Sequence, residues 1–363
     1  MAKKINILHL INSLEAGGAE NLLLNQIKLF DKSKFNVHVG YLKGPLPLIK
    51  LDDHIKVSDF SNKEKFSFNC FNTIRKYIIA NNIDILHTHL IHASIIGKII
   101  SFFTPNIINI ATRHYALESK QYRFINKLDN YFLKYNDAII CISKYVKSYL
   151  INKGFDNQKL HVIYNGINID KYKVARFDTN ENIITTIGRI DKQKGIDTLI
   201  KSFSKFLEIF PKSKLNIIGE GPLKDEYIFL AKKLNIYDNI NFTGLISSEE
   251  VIEHLRKTDL FVLASRWEGF GMVLIEANAI GIPVIATKVE AIPEIIKDGY
   301  NGFLISPNSP IEILEKMKEL IESKDLRKDM GQNGIHNVLN KFSLDKMVTN
   351  TQNLYIEMIN SNA

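Results

Sequence analysis

The sequence predicts an α/β protein built from two doubly wound parallel sheets. Three observations predict it. Short apolar runs alternate with helix-length segments along almost the whole chain, as in a buried parallel sheet with helices on both faces. The alternation comes in two series, separated by the polar stretch NIDKYKVARFDTNEN (168–182). The length, 363 residues with 45% hydrophobic side chains, suits two ordinary cores and excludes a disordered chain.

The first series reads as strands at INILHLI (5–11), FNVHVGYL (35–42), IDILHTHL (83–90), IINIAT (107–112), DAIICIS (137–143) and LHVIYNG (160–166). Helical patterns such as AENLLLNQIKLF (19–30) and FNTIRKYIIANN (71–82) lie between them. The second series has strands at NIITTIG (182–188), KLNIIG (214–219), NINFTG (239–244), DLFVLAS (259–265), PVIAT (283–287) and GFLIS (302–306). From Ser343 an amphipathic segment with a serine cap reads as a closing helix. The expected organisation is a first domain over 1–167, a linker over 168–182, a second domain over 183–342 and a terminal helix over 343–363.

The N-terminal apolar stretch is short and runs into a glycine turn, so it reads as a strand and not a signal peptide. SIIGKIISFF, from Ser94, is far short of the ~20 residues of a membrane span and contains Lys98. Cys70 and Cys141 lack CxxC spacing and read as reduced cytosolic thiols. The net charge of +8 is uneven. Residues 1–175 hold 24 Lys/Arg against 13 Asp/Glu, while the remainder holds 23 against 26. The basic half suits an anionic membrane surface, a phosphorylated substrate or nucleic acid, or it is simply a Lys-rich solvated face.

In doubly wound sheets ligands bind outside the carboxyl ends of the strands, so the turns there carry the chemistry. GRIDKQKG leaves a strand at Gly188, presents Arg189 and Lys194, and enters a helix near Gly195. Two cations at a helix start suit a diphosphate, although no P-loop is present. Gly219-x-Gly221 is followed by Pro222, so no GxGxxG fingerprint exists and a dehydrogenase is disfavoured. Gly17 and Gly18 after the first strand either let backbone approach a ligand or cap a helix. His87, His89 and His92 raise a zinc site, but no carboxylate or cysteine nearby completes one, so burial or a ligand-lining role is expected and no metal is assigned. Arg113 and His114 close another strand. No Asp-x-Asp triplet is present to hold a nucleotide's Mg²⁺.

Glu268 and Glu276, in EGFGMVLIE, raise the question of a hydrolytic acid–base pair. Eight residues of helix would separate their Cα atoms by roughly 12 Å and rotate them about 80° apart. Glycosidase carboxylates sit roughly 5 to 9.5 Å apart on opposite sides of one bond. The pair better fits two points on one elongated ligand, with free helix N–H groups near Gly271 and Met272 between them. Glu276 lies in an apolar run and needs partners, either vicinal hydroxyls such as those of a ribose or local backbone.

These motifs resemble those of the retaining glycosyltransferases of family 4. The resemblance rests on GGAE (17–20), GRIDKQKG (188–195), GEGP (219–222), FTG (242–244), EGFGMVLIE (268–276) and EIIKDGYNGFLI (294–305). It implies a GT-B fold of two facing Rossmann-like domains with a cleft between them, and a last helix that returns to the first domain. It further implies that Arg189 and Lys194, beside Gly188, hold the donor diphosphate. Glu276 would bind the nucleotide ribose, and Glu268 with the backbone of Gly269, Phe270 and Gly271 the donor sugar. Gly17 and Gly18 would close over the phosphates and acceptor, His114 would stand by the donor sugar, and Gly244 and Leu245 would line the base.

The implied activity is transfer of a hexose or N-acetylhexosamine, UDP-linked as first choice, to a hydroxyl of a glycan or lipid-linked acceptor in cell-surface polysaccharide synthesis. No cofactor or metal is expected. The expected location is cytoplasmic, peripheral at the inner face of the membrane through the basic first domain. Nucleic acid is not expected as a partner, for lack of aromatic–basic interleaving and zinc-finger spacing. A non-catalytic GT-B partner subunit and a GT-B epimerase or phosphorylase are the alternatives.

Overall fold

The computed structural model describes residues 3–15, 17–44, 55–61, 68–114, 123–176 and 181–362. The chain divides into two compact units, Met1–Gly166 with Leu344–Ala363, and Ile167–Ser343.

The first unit has a seven-stranded sheet in the order β3-β2-β1-β4-β5-β6-β7, parallel throughout. Its strands are β1 (Ile5–Ile11), β2 (Phe35–Tyr41), β3 (Lys56–Asp59), β4 (Ile85–His89), β5 (Ile108–Arg113), β6 (Ala138–Cys141) and β7 (Leu160–Val162). The helices between them are α1 (Gly18–Lys28), α2 (Phe68–Ala80), α3 (Ile91–Phe102), α4 (Arg123–Leu133) and α5 (Lys144–Asn152). The central strands are apolar on both faces because both are covered. One core gathers Ile7, Ile11, Leu23, Ile27, Phe30 and Tyr355, and another gathers Leu8, Leu10, Ile74, Leu86, Ile96 and Ile100. β3 went unpredicted. It is a four-residue edge strand, KVSD, with no apolar run to reveal it.

The second unit has a six-stranded parallel sheet in the order β10-β9-β8-β11-β12-β13. Its strands are β8 (Ile183–Ile187), β9 (Lys214–Ile218), β10 (Ile240–Gly244), β11 (Leu260–Leu263), β12 (Val284–Thr287) and β13 (Gly302–Ile305). Its helices are α6 (Ile196–Ile209), α7 (Lys224–Lys233), α8 (Ser248–Arg256), α9 (Met272–Ala279), α10 (Ile292–Ile295), α11 (Pro310–Glu322) and α12 (Lys324–Lys341). Phe203 and Phe206 of α6 are fully buried against β8, β9 and β11, and each such ring contributes about 1.5–3 kcal/mol of burial. Strand order reverses between β8 and β11, which makes their carboxyl ends the expected ligand position of this sheet.

The described part of the stretch expected as a linker packs within the second unit. Its 3₁₀ turn at Ile169–Tyr172 meets α9, and Arg176 donates to the carbonyls of Gly281 and Thr258 at 3.0 and 2.6 Å. Residues 177–180 of that stretch lie outside the described residues. The closing helix α13 (Leu344–Ser361) belongs to the first unit, where Tyr355 is buried beside Phe30 and Phe35 and Thr351 accepts from Gln26 at 2.8 Å. Among the described residues no helix is long and apolar enough to cross a membrane.

Candidate functional site

The turn after β8 is set by backbone packing. Gly188 (φ +153°) passes under the Lys194 stem, and a Cβ there would lie 2.9 Å from Lys194 Cε. Asp191 accepts the Gln193 N–H at 2.9 Å and opens a single 3₁₀ turn that carries Lys194. Gly195 then begins α6 in the left-handed region (φ +61°), where a Cβ would fall 2.1 Å from the Ala264 carbonyl oxygen. The neighbouring turns close on this one through backbone. Gly188 donates to Ile218, Gly219 to Gly244 and Ile190 to Glu220, at 2.9 to 3.0 Å.

The turn after β11 meets the first at Lys194. The Lys194 ammonium donates to Glu268 Oε2 at 2.5 Å, with both side chains mostly buried (16% and 10% exposed). Ser265 Oγ donates to the same oxygen at 3.1 Å. Gly271 (φ +96°) caps α9 without a side chain, so the first N–H groups of that helix, from Met272 on, have no side-chain cap. The Phe270 side chain turns inward and packs edge-on against Phe342.

Glu276 follows on the second turn of α9. Its carboxyl is raised above the ordinary range by burial, an effect the hydrogen bond from the Tyr172 phenol partly offsets. The Tyr172 hydroxyl is raised in turn, by burial and by the Glu276 charge. Local backbone was one expected partner for Glu276; a phenol from the stretch expected as linker takes that place. Arg189 points outward, 73% exposed, with Asp191 Oδ2 3.7 Å away. Gly244 (φ +76°) ends β10, and Leu245 beyond it is 81% exposed.

Three further residues of this unit had no sequence signal. Arg266 braces both turns. Its N–H donates to Gln193 O and Nη1 to Lys192 O, both at 2.7 Å; Nη2 spans the Asp197 carboxylate at 2.9 and 3.0 Å; Nε reaches Asn308 at 2.7 Å. Tyr172 is the second. The third, Glu290, stands after β12 at φ +46°, unusual for a residue with a Cβ. Its carboxylate accepts the Glu268 N–H at 2.7 Å and is raised by burial. A depression of about 490 Å³ lined by Ile183, Lys214, Ile240 and His254 lies at the amino ends of β8, β9 and β10, the opposite end of the sheet from these turns.

In the first unit Gly17 caps α1 in an extended conformation, and a Cβ at Gly18 would meet nothing within 4 Å. His114 follows β5. Burial, helped by the Arg113 guanidinium, holds its imidazole down to about 4, so it is neutral near pH 7. Its Nε2 and Asn165 Oδ1 have no hydrogen-bond partner among the described residues, and both residues line a cavity of about 10 Å³. His87 and His89 are buried and joined by His9, the direct neighbour of His87 in the β1–β4 register. One ring nitrogen from each lies within 4.8 Å of the others, near enough to share an ion. Most of the nitrogens are engaged with protein, while His9 Nε2 is buried with no hydrogen-bond partner among the described residues. His87 meets the Tyr355 hydroxyl at 2.5 Å and Thr112 Oγ1 at 2.7 Å, and His9 Nδ1 meets His89 Nε2 at 3.1 Å.

The arrangement in the second unit offers an ammonium, two carboxylates, an exposed guanidinium and a helix N-terminus around one sheet switch point, a set suited to a polyhydroxylated anion. The family model described as Glycosyl transferases group 1 matches residues 169–337, and that described as Glycosyltransferase Family 4 matches residues 16–171. An uncharacterized glycosyltransferase of Methanocaldococcus jannaschii, MJ1178, is 32% identical over 300 residues, covering 81% of each chain. The UDP-Gal:alpha-D-GlcNAc-diphosphoundecaprenol alpha-1,3-galactosyltransferase of Escherichia coli is 24% identical over 386 residues, 98% of each. The solved structure of Anabaena Alr3699/HepE in complex with UDP is similar with a TM-score of 0.84 at 20% identity, covering 97% of this chain and 100% of that one.

Proposed function

Because the chain belongs to glycosyltransferase family 4, with its two parallel-sheet domains of the GT-B class, we propose that it moves a hexose or N-acetylhexosamine from a UDP-linked donor to a glycan or lipid-linked hydroxyl, with retention at the anomeric carbon. The observation that carries this reading is the Lys194–Glu268 contact at the β8–β11 switch point, beside the uncapped start of α9. Support for UDP and for a diphosphate-lipid acceptor comes from the Anabaena structure and the Escherichia coli relative, whose names state those ligands. The acceptor chemistry fits a role in surface polysaccharide synthesis.

In this reading Glu268 accepts hydroxyl donors of the sugar, and Glu276 those of the ribose. As the anomeric C–O bond breaks, the sugar becomes cation-like and the diphosphate gains charge. Arg189, Lys194 and the N–H groups from Gly271 and Met272 stabilise that charge, fixed dipoles and cations taking the place of reorganising water. The acceptor hydroxyl arrives on the face the leaving group vacates, and its proton passes to the leaving phosphate oxygen. His114, neutral, offers a hydrogen bond without adding charge. Gly17 and Gly18 admit the phosphates and acceptor, and Gly244 and Leu245 flank the base.

A thermal-shift screen of nucleotide sugars, followed by transfer assays and NMR of the product anomer, tests the reading. A matching donor stabilises the fold by mass action, about 2.7 kcal/mol at a hundredfold over Kd. Stabilisation by no nucleotide sugar, or an inverted product, overturns it. Since no Asp-x-Asp triplet is present, transfer is expected to continue in EDTA; full loss there, restored by Mg²⁺, overturns the metal-independent form.

A further inference from the structure

Soluble proteins usually scatter exposed apolar side chains singly. On the first unit several are grouped. Phe102 and Phe103, at the end of α3, are 56% and 65% exposed; Tyr131 and Tyr135, on and just beyond α4, are 57% and 48% exposed. They form one patch. Phe102 meets Tyr135 edge-on with centroids 6.1 Å apart, and Tyr135 meets Tyr131 at 5.3 Å. α2 extends it, since Arg75 Nε donates to the Phe103 carbonyl at 2.8 Å and Ile79, one turn on, is exposed.

α4 is turned unusually. It buries Asn126, Asp129 and Leu133 and leaves Lys127 and Tyr131 in solvent, with Lys134 and Tyr135 continuing that face. The exposed charge around the patch is mostly positive. Arg75, Lys76, Lys127 and Lys134 are exposed there, with the exposed carboxylate of Asp137 two residues beyond Tyr135; within α2, α3 and α4 the one carboxylate is Asp129. Asp129 is buried and paired with Arg113, so it does not offset the other cations. The Lys98 ammonium lies 5.0 Å from the centroid of the Phe102 ring.

We propose that this α2–α3–α4 face docks on an anionic lipid bilayer, the aromatic rings entering the headgroup layer and the cations meeting lipid phosphates. Aromatic rings favour that depth, and a modest apolar contact combined with basic residues gives reversible attachment where neither alone suffices. A second copy of the face would bring cations against cations, so charge disfavours self-association. Single-stranded RNA would stack bases on the rings but has no use for the exposed aliphatic side chain of Ile79, which a bilayer accommodates. The inference rests on the proposed function only for its purpose, bringing the enzyme to a lipid-linked acceptor.

The test is co-sedimentation of the full chain with vesicles of phosphatidylcholine, with and without phosphatidylglycerol, at low and high salt. Binding is expected only with phosphatidylglycerol and weakens with salt. The triple variant Phe102→Ser/Phe103→Ser/Tyr131→Ser, and separately Lys127→Glu/Lys134→Glu, should each lower the partition coefficient about tenfold or more. Lys233→Glu/Lys341→Glu, the same charge change on the second unit, should stay within about twofold. All these sites are exposed, and far-UV circular dichroism checks that each variant folds. Wild-type protein that ignores anionic vesicles, or variants that bind equally, overturn the proposal. So does a patch-dependent dimer by light scattering, or patch-dependent RNA binding, without vesicle binding. None of these results touches the nucleotide-sugar thermal shift, so the two readings fail separately.

Discussion

In the first unit, β1 and β4 bury three imidazoles, His9, His87 and His89, which bond to one another, to Thr112 and to Tyr355. In the second, β8 and β11 lead into glycine-tight turns where an ammonium and a carboxylate meet, held by Arg266 and Asp197. The β1–β4 pair thus carries neutral rings, and the turns after β8 and β11 carry paired charges. Burial explains both choices. A buried imidazole can shed its proton and stay hydrogen-bonded, whereas a carboxylate kept ionised out of water needs a cation or several donors.

Acid should break this comparison most strongly. Burial holds His9 down to about 3 and His114 down to about 4, and takes His87 and His89 well below 6.5. The folded values are depressed, so the unfolded chain takes up protons first. Stability from these groups is complete above the unfolded value of 6.5 and is lost as pH falls toward the folded values. By pH 5 each histidine that stays neutral costs about 2 kcal/mol. Glu276 and Glu290 act in the opposite sense, because their folded values are raised and mild acid favours the folded state. Trp267, the single tryptophan, reports on the second unit. Between pH 7 and 5 the urea midpoint by far-UV circular dichroism should fall well ahead of that by Trp267 fluorescence. Equal shifts would show that the histidines do not set the acid response.

Removing the central cation is the next largest effect. Lys194→Ala should slow transfer by ~10²–10³, the usual loss for one preorganised donor to developing charge. Near-normal turnover in a variant that still melts cooperatively would remove Lys194 from the chemistry. Gly195→Ala tests the scaffold beneath it. A Cβ in the left-handed region, 2.1 Å from the Ala264 carbonyl, should cost at least about 2 kcal/mol and displace both turns. An unchanged melting temperature would show that the two turns are not locked through that contact.

The parallel sheets were readable because buried strands leave apolar runs, as in INILHLI and DLFVLAS. β3 was not, since an edge strand needs no such run. Motif residues such as Lys194 and Glu268 were readable because each stands in a distinctive turn. Arg266 was hidden, since its value depends on residues 192, 193, 197 and 308, which only the fold gathers. His9 was hidden for a related reason. The IDILHTHL run announced His87 and His89, but nothing in the sequence says which strand lies beside β4.

The smallest expected effect is the most discriminating. Glu290 has a left-handed backbone that suits glycine, yet its carboxylate holds the Glu268 N–H. Replacing this side chain with a hydrogen atom relieves backbone strain of roughly 1 kcal/mol and removes the burial penalty on the carboxyl. It also loses a hydrogen bond to a charged group, worth about 1.5–3 kcal/mol. These terms nearly offset, so Glu290→Gly should change stability by less than about 1 kcal/mol. Its effect should fall on the turn instead: a donor KM raised several-fold with kcat changed less, and recovery in Glu290→Gln, whose amide oxygen still accepts the N–H. The Lys194–Glu268 contact would then depend on an acceptor from a third loop. If Glu290→Gly keeps the wild-type KM, Lys194 and Ser265 alone are enough to place Glu268.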